Sequence, residues 1–280
     1  MRTPLTYYGG KRMLAAQIVA MMPKHRAYLE PFCGGAAVLF AKPRAERETI
    51  NDLDGDVAAF WRVVRERAEE LADAVAATPY SRAEWVASRV PVSEDLERAR
   101  RLLIRIDQSF SRSGKSWSVP CVGDGRGRWQ PGTWANLPPK ILTAAERLQG
   151  VALESRDACW LIPRWDRSDA VIYCDPPYVG PHRLEPRHGY KVDDADGLWP
   201  RLIETLLHVE HAAVILSGYP TDIADPLILA GWRVMRLERK RMVQARSKEK
   251  LAPAPELLWL SPAVPAPRSD RLFDDLGVRA

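Results

Sequence analysis

An acid, two prolines and a tyrosine follow a short apolar run in the stretch VIYCDPPYVG, residues 171–180. Asp175 should lie at the carboxyl end of a buried strand, where open α/β sheets bind their ligands. Pro176 and Pro177 make the chain rigid and extended, which fixes the directions of its carbonyl groups. The Asp175 carboxylate and the Pro176 carbonyl could then accept the two N–H bonds of an exocyclic amine, while Tyr178 offers a flat face to a base. The alternative, a strand-end turn with a capping acid and a packed tyrosine, is less favoured.

A glycine turn precedes this motif in EPFCGGAAVLF, residues 30–40. A strand should end at Phe32, and Gly34 begins a turn into a helix whose backbone can approach a ligand closely. Asp52 ends the next predicted strand, about 20 residues further on, where an acid suits the two hydroxyls of a ribose. The motif is neither GxGxxG nor a Walker loop, so a nucleoside without a pyrophosphate fits better than a dinucleotide. Taken alone, the glycines leave open an ordinary tight strand–helix turn.

Composition narrows the class of protein. The chain has 280 residues, of which 46% are hydrophobic, so it can build a substantial core. Its net charge of +5 permits a polyanionic partner without requiring one. We find no secretory signal and no apolar run near the roughly 20 residues of a membrane span. Four scattered cysteines form no CxxC pair, which favours a cytoplasmic protein without structural zinc, other metal or disulfides.

Short apolar runs alternate with helical segments before residue 59 and after residue 149, which predicts an α/β domain interrupted by an insertion. We expect helices over residues 12–22 and 56–77. The predicted domains are 1–58 with 150–262, an insertion over 59–149, and a loose tail over 263–280. Residues 101–150 hold eight Lys/Arg and three Asp/Glu, and a second basic run spans 236–250. Such runs can contact phosphates, although a solvated charged face is the alternative.

The motifs together resemble those of the Dam-like class of DNA adenine-N6 methyltransferases. The resemblance covers residues 7–262 and rests on YYGGK at 7–11, on the glycine and NDLD motifs, on CDPPY at 174–178 and on SGYP at 217–220. It implies a Rossmann-like, seven-stranded mixed sheet whose insertion, mainly helical and loop-rich, is a target recognition domain. It also implies S-adenosylmethionine as cofactor and double-stranded DNA as partner.

The resemblance further implies roles for individual residues. Catalysis falls to the DPPY residues, Asp175, Pro176, Pro177 and Tyr178. The cofactor would be bound by Tyr7, Lys11, Glu30, Phe32, Gly34, Asp52 and Asp175. The target base and the DNA would be contacted by Ser217, Tyr219, Arg112, Lys115, Arg126 and Arg128. Many relatives carry an Asp-His pair near the position of Trp199, and this chain does not, so no role is assigned there.

The implied reaction is methyl transfer to adenine N6 after the target nucleotide has been extruded from the duplex. Methylation of RNA adenine or of cytosine N4, and a catalytically silent DNA-binding relative, remain as alternatives. Cytosine-N4 enzymes more often carry serine before PPY, and the intact Asp52 and Asp175 argue against a silent protein. The tail segment SDRLFDDLGV could make a weak peptide contact with a partner protein, or it could be a frayed end.

Overall fold

A computed structural model of the chain describes residues 3–6, 10–118, 130–178, 195–237 and 255–266. The strands of its sheet are β1 (Ala27–Glu30), β2 (Arg47–Asn51), β3 (Val151–Glu154), β4 (Ala170–Cys174), β5 (Ala213–Gly218), β6 (Arg233–Leu237) and β7 (Glu256–Leu260). They form one seven-stranded sheet in the order β3-β2-β1-β4-β5-β7-β6. The first five strands pair in parallel, and β7 runs antiparallel to both β5 and β6. The predicted Rossmann-like mixed sheet is confirmed.

The helices that cover this sheet follow the alternation read from the sequence. They are α1 (Ala15–Met21), α2 (Ala37–Ala41), α3 (Gly55–Glu66), α4 (Ala68–Ala77), α5 (Arg82–Ala87), α6 (Asp95–Asp107), α7 (Gln130–Trp134), α8 (Pro138–Leu148), α9 (Ala158–Leu161), α10 (Ala195–Leu207) and α11 (Asp225–Leu229). A 3₁₀ turn, Lys11–Met13, precedes α1. The predicted helix over 56–77 is two helices, because Arg67 between them has φ −138° and ψ 40°.

The sheet separates two apolar layers. Because side chains alternate along a strand, Tyr28 and Tyr173 face one layer, while Leu29 and Ile172 face the other. The first layer includes α1 to α4, α6 and α8, and the second includes α9 to α11. Both faces of the central strands are therefore buried, which matches their continuous apolar runs.

The helices between β2 and β3 pack directly on the first layer. Phe60, Trp61 and Ile141 are fully or almost fully buried there. Arg147 of α8 donates to both carboxylate oxygens of Glu48 on β2, at 2.6 and 2.9 Å, and Lys42 donates to the same carboxylate at 2.6 Å. This buried ion cluster ties the insertion to the sheet. Its assignment as a target recognition domain stays a prediction.

No helix within the described ranges combines the length and apolar character that crossing a membrane requires.

Candidate active site

The carboxyl edge of the parallel strands brings together side chains from distant parts of the chain. Asp175 follows directly after β4, and Ser217 lies near the end of β5. Since β7 runs antiparallel, its first residue, Glu256, starts at the same edge, with Leu257 opposite Gly218 of β5. Lys11 arrives from the 3₁₀ turn before α1. The edge therefore joins two acids, one cation and one hydroxyl.

These groups form a tight ionic cluster around Lys11. Its Nζ lies 2.6 Å from Asp175 Oδ1 and 3.0 Å from Glu256 Oε1. The side chains of Lys11 and Glu256 are 4% and 1% exposed, whereas Asp175 retains 20%. Asp175 is thus the acid of the cluster that a ligand can reach.

The Tyr178 hydroxyl completes the cluster. Its Oη lies 3.0 Å from Asp175 Oδ1 and 2.9 Å from Glu256 Oε1. A phenol has one proton, so it donates to one of the two carboxylates at a time. Lys11 Nζ lies 4.8 Å from the centroid of the Tyr178 ring. The centroids of the Tyr178 and Tyr219 rings are 4.7 Å apart, and their planes are inclined by 73°. The cluster therefore fixes the orientation of the ring that was expected to support a base.

The two oxygens of Asp175 have different environments. Donor groups of Lys11, Tyr178 and Ser217 all lie within hydrogen-bond distance of Oδ1, at 2.6, 3.0 and 2.9 Å. Within the described residues no donor reaches Oδ2. Among the described residues, all the hydrogen bonds to this carboxylate thus end on one oxygen.

The two proline carbonyls differ in the same way. Trp199, fully buried in α10, donates its Nε1–H to the Pro177 carbonyl at 2.7 Å. The Pro176 carbonyl accepts no hydrogen bond from the part of the chain that the structure describes. Among the described residues, nothing occupies the acceptor pair predicted from the sequence, Asp175 Oδ2 and the Pro176 carbonyl, and its role stays a prediction.

Two carboxylates compete for one ammonium group in this cluster. Burial raises the pKa of Asp175, and the charge of Glu256 raises it further, against the opposing effect of Lys11. Burial acts to lower the pKa of Lys11, but the charges of Asp175 and Glu256 outweigh it and raise that pKa. When all three groups are ionised, the cluster carries a net charge of −1, which suits a cationic reacting group.

Asp52 connects the ends of β1 and β2. Its Oδ2 accepts from the Gly34 backbone N–H at 2.8 Å, and its Oδ1 accepts from that of Asp54 at 3.0 Å. Gly34 has φ +43°, a conformation that favours glycine, and its carbonyl accepts from Trp61 Nε1 at 2.8 Å. Burial raises the pKa of Asp52 to about 6. Asp52 and the glycine turn are brought together, and the expected ribose contact stays a prediction.

Glu30 ends β1 almost completely buried, at 2% exposure. Its Oε2 accepts from Tyr28 Oη at 2.9 Å and from the Leu39 N–H at 3.1 Å. Burial raises the pKa of the Glu30 carboxyl to about 8. Phe32, two residues later, packs against the second apolar layer. Glu30 and Phe32, two of the predicted cofactor residues, therefore lie at the end of β1, and Asp52 follows the neighbouring strand β2.

The buried Glu30 predicts a specific pH dependence of stability. Its pKa is about 8 in the folded protein and 4.5 as a reference value, so between these pH values the folded state binds more protons and the free energy of unfolding falls as pH rises. Glu30→Gln should abolish this fall in the free energy of unfolding, which is on the order of a few kcal/mol. Urea unfolding from pH 4.5 to 8 measures it. In the comparison variant Asp52→Asn, the free energy of unfolding should become independent of that carboxyl only between pH 3.8 and 6. If Glu30→Gln kept the wild-type slope of unfolding free energy against pH, the assignment to Glu30 would be contradicted.

The predicted DNA-contacting residues lie only partly within the described ranges. Arg112, at the end of a 3₁₀ turn, and Lys115 lie in the loop between Ser109 and Trp117, which form an isolated β-bridge. Arg112 forms an ion pair with Asp107 at 3.1 Å. Outside the described residues lie Tyr7, Arg126 and Arg128, most of the basic run 236–250, and all but the first residues of the tail 263–280. Their predicted roles stay predictions.

Sequence reasoning missed two residues of the site, Glu256 and Trp199. Glu256 precedes an apolar run and looks like the start of any strand; it lies 78 residues from its partner Tyr178. Trp199 is singled out in the sequence only by the missing Asp-His pair, yet it fixes the DPPY backbone. Across the described residues we find no group of three or more His, Cys, Asp or Glu side chains arranged to hold a metal ion.

Comparisons with known proteins agree with these motifs. Residues 7–107 match the family described as D12 class N6 adenine-specific DNA methyltransferase. A DNA N-6-adenine-methyltransferase of Escherichia phage P1 is 26% identical over 263 residues, which is 88% of this chain and 33% of that protein. The chain thus spans about a third of the length of this curated relative. The resemblance to DNA adenine-N6 methyltransferases is confirmed.

Among solved structures, one chain provisionally described as a methyltransferase, complexed with SAH, aligns with 92% of this chain and 54% of its own length. The sequence identity is 14% and the TM-score is 0.36, which is too low for this likeness to support a conclusion.

Proposed function

We propose that this chain, a relative of the DNA adenine-N6 methyltransferases, transfers a methyl group from S-adenosylmethionine to the N6 amine of adenine in DNA. The observation that supports it most is that the acceptor atoms of the DPPY segment differ in whether protein groups occupy them. Three side chains hold Oδ1 of Asp175, and Trp199 holds the Pro177 carbonyl. Oδ2 and the Pro176 carbonyl are the proposed pair of acceptors for one –NH₂ group.

The residues around the glycine turn fit the proposed cofactor. S-adenosylmethionine, when bound, supplies a methyl group carried on a positively charged sulfur. Its ammonium group and ribose hydroxyls call for acidic partners. Glu30 ends β1, and Asp52 directly follows β2, the neighbouring parallel strand. Both hydrogen bonds to Glu30 from described residues end on Oε2, so its other oxygen is not used by them. Glu30 and Asp52 would hold the cofactor, with the Gly34 turn beside them.

Asp175 and Pro176 activate the amine by orienting it. The nitrogen lone pair of adenine N6 is delocalised into the ring, and two acceptors on the N–H bonds favour a more tetrahedral nitrogen. Because positive charge grows on this nitrogen during transfer, the interaction with ionised Asp175 strengthens towards the transition state. The fixed backbone of Pro176 and Pro177 adds the benefit of positioning.

Asp175 can also accept the proton that the methylated amine must lose. Its pKa is raised by burial and by Glu256, which makes it a better base than an exposed aspartate. In this step the N–H bond breaks, the nitrogen keeps the electron pair, and the proton passes to Oδ2. Solvent can then remove it, since Asp175 remains 20% exposed.

The substrate is proposed to be a nucleotide swung out of duplex DNA. Extrusion costs a few kcal/mol, and stacking against an aromatic side chain returns roughly 1–3 kcal/mol per base. Tyr178 is the proposed stacking partner, and Ser217 and Tyr219 line its surroundings. The basic residues Arg112, Lys115, Arg126 and Arg128 are proposed to contact phosphates, which would make affinity fall steeply with salt.

One assay tests this function and its alternatives. The protein is incubated with S-adenosylmethionine labelled in the methyl group and with duplex DNA, single-stranded DNA or RNA, and the modified nucleoside is identified by mass spectrometry. We expect N6-methyladenine in duplex DNA. Label in RNA alone, label on cytosine N4, or no label with intact DNA binding would each contradict the proposal and identify the corresponding alternative.

A further inference from the structure

Glu256 is a buried acid in a position that needs an explanation. Its side chain is 1% exposed, and burying a carboxylate is costly unless it is paired and hydrogen-bonded. Oε1 meets that requirement with Lys11 Nζ at 3.0 Å and Tyr178 Oη at 2.9 Å. Both partners also contact Asp175 Oδ1. Glu256 thus shares these two partners with the proposed catalytic acid.

The sheet topology places Glu256 there. Strand β7 lies between β5 and β6 and pairs with both in antiparallel register. Its first residue therefore meets the last residues of β5, close to Ser217. A rigid strand, rather than a loop, positions the carboxylate.

We propose that Glu256 is a positioning residue for methyl transfer, which holds Lys11 and Tyr178 against Oδ1 of Asp175 and so leaves Oδ2 directed at the target amine. The inference rests on the proposed function. It assigns to a residue of the last strand a role that none of the sequence motifs indicated.

Glu256 also divides the charge of Lys11. With one carboxylate, the ammonium group would neutralise Asp175 fully and make it a weaker acceptor for the amine. With two, Asp175 keeps more of its basicity. The ionisable groups that act on or around Asp175 are Lys11, Glu256, Tyr173, Tyr178, Glu30 and Cys174. Among them Glu256 is the second carboxylate in contact with Lys11.

The test compares wild type with Glu256→Gln, and with Glu204→Gln as control, an exposed glutamate of α10. The ¹³C signal of the Asp175 carboxyl, assigned by its loss in Asp175→Asn, is titrated in the ligand-free protein. Glu256 raises the pKa of Asp175, so the midpoint should move to lower pH in Glu256→Gln and stay in place in Glu204→Gln. A role in packing alone would leave the midpoint unchanged.

Kinetics on the full chain give the second readout. In single-turnover methyl transfer, Glu256→Gln should lower the rate on the order of 100-fold, as expected for a misplaced catalytic group. KM for DNA should change little. The acid limb of the pH–rate profile should move to lower pH together with the NMR midpoint, because the rate requires ionised Asp175. A slower variant whose limb and midpoint do not move would overturn the inference, as would a variant with the wild-type rate.

Two further outcomes are kept distinct. If Glu256→Gln does not fold, Glu256→Asp takes its place: this variant keeps the charge but withdraws it from Lys11 and Tyr178, so transfer should be slower and an unchanged rate would refute the role. A wild-type protein that transfers no methyl group contradicts the proposed function itself. An active wild type with an unaffected Glu256→Gln contradicts only the role of Glu256.

Discussion

Asp175→Asn is expected to lower the rate of methyl transfer on the order of 1,000-fold while binding of S-adenosylmethionine survives. Asparagine has the same shape, and its carbonyl oxygen can take the place of Oδ1, which accepts from Lys11, Tyr178 and Ser217. Its –NH₂ group then points where Oδ2 was and opposes the N–H bonds of the target amine with N–H bonds of its own. Lys11 keeps Glu256 as a partner, so the fold should be preserved.

The measurement is a single-turnover assay with labelled cofactor, beside calorimetric titration of S-adenosylhomocysteine. Asp73→Asn, at an exposed position of α4, makes the same chemical change far from the cluster and should behave as wild type. Near-normal turnover in Asp175→Asn would refute the mechanism. Loss of cofactor binding in that variant would show instead that Asp175 acts chiefly in the cofactor site.

Gly35→Ala is expected to lower the free energy of unfolding by about 3 kcal/mol or more. A Cβ built on Gly35 would lie 2.4 Å from the carbonyl oxygen of Leu5. That oxygen belongs to the backbone and cannot rotate away, and Leu5 is itself fully buried. The glycine turn would have to move, and with it the Gly34 N–H that Asp52 binds. We therefore expect weaker cofactor binding as well.

Urea unfolding and cofactor titration measure both effects. Gly55→Ala is the matched control, because its added Cβ would lie 3.3 Å from the flexible end of Arg98 and alanine favours the start of α3. Its stability should stay within about 1 kcal/mol of wild type. Equal urea midpoints for Gly35→Ala and Gly55→Ala would contradict this prediction, because they would show that the backbone at Leu5 can move away without loss of stability.

The parallel half of the fold was predictable because its signals are local. Apolar runs such as VIYC are buried on both faces and alternate with amphipathic helices, which indicates a crossover sheet. The break at Arg67 was not predictable, since residues 56–77 have a continuous helical pattern. It arises from tertiary packing: α3 packs mainly against α6, and α4 mainly against α8.

In the site, too, the local sequence signals were predictable and the long-range contacts were not. Asp175, Pro176 and Tyr178 are adjacent in sequence, so their chemistry could be read directly. The general rule for strand ends predicts that the glycine turn and Asp52 lie at one edge of the sheet, whereas the hydrogen bond from the Gly34 N–H to Asp52 is visible only in the structure. The Lys11–Glu256 contact could not be read, because it depends on where β7 enters the sheet. The Tyr178 ring was expected as a flat face, and its hydroxyl's role in binding Glu256 is visible only in three dimensions.

The position of β7 has a consequence for synthesis on the ribosome. Of the seven strands described, β7 is made last, yet it lies inside the sheet between β5 and β6. A nascent chain therefore carries Lys11 and Asp175 long before the partner that completes their arrangement exists. The arrangement of Lys11, Asp175 and Glu256 can therefore form only after β7 has been inserted between β5 and β6.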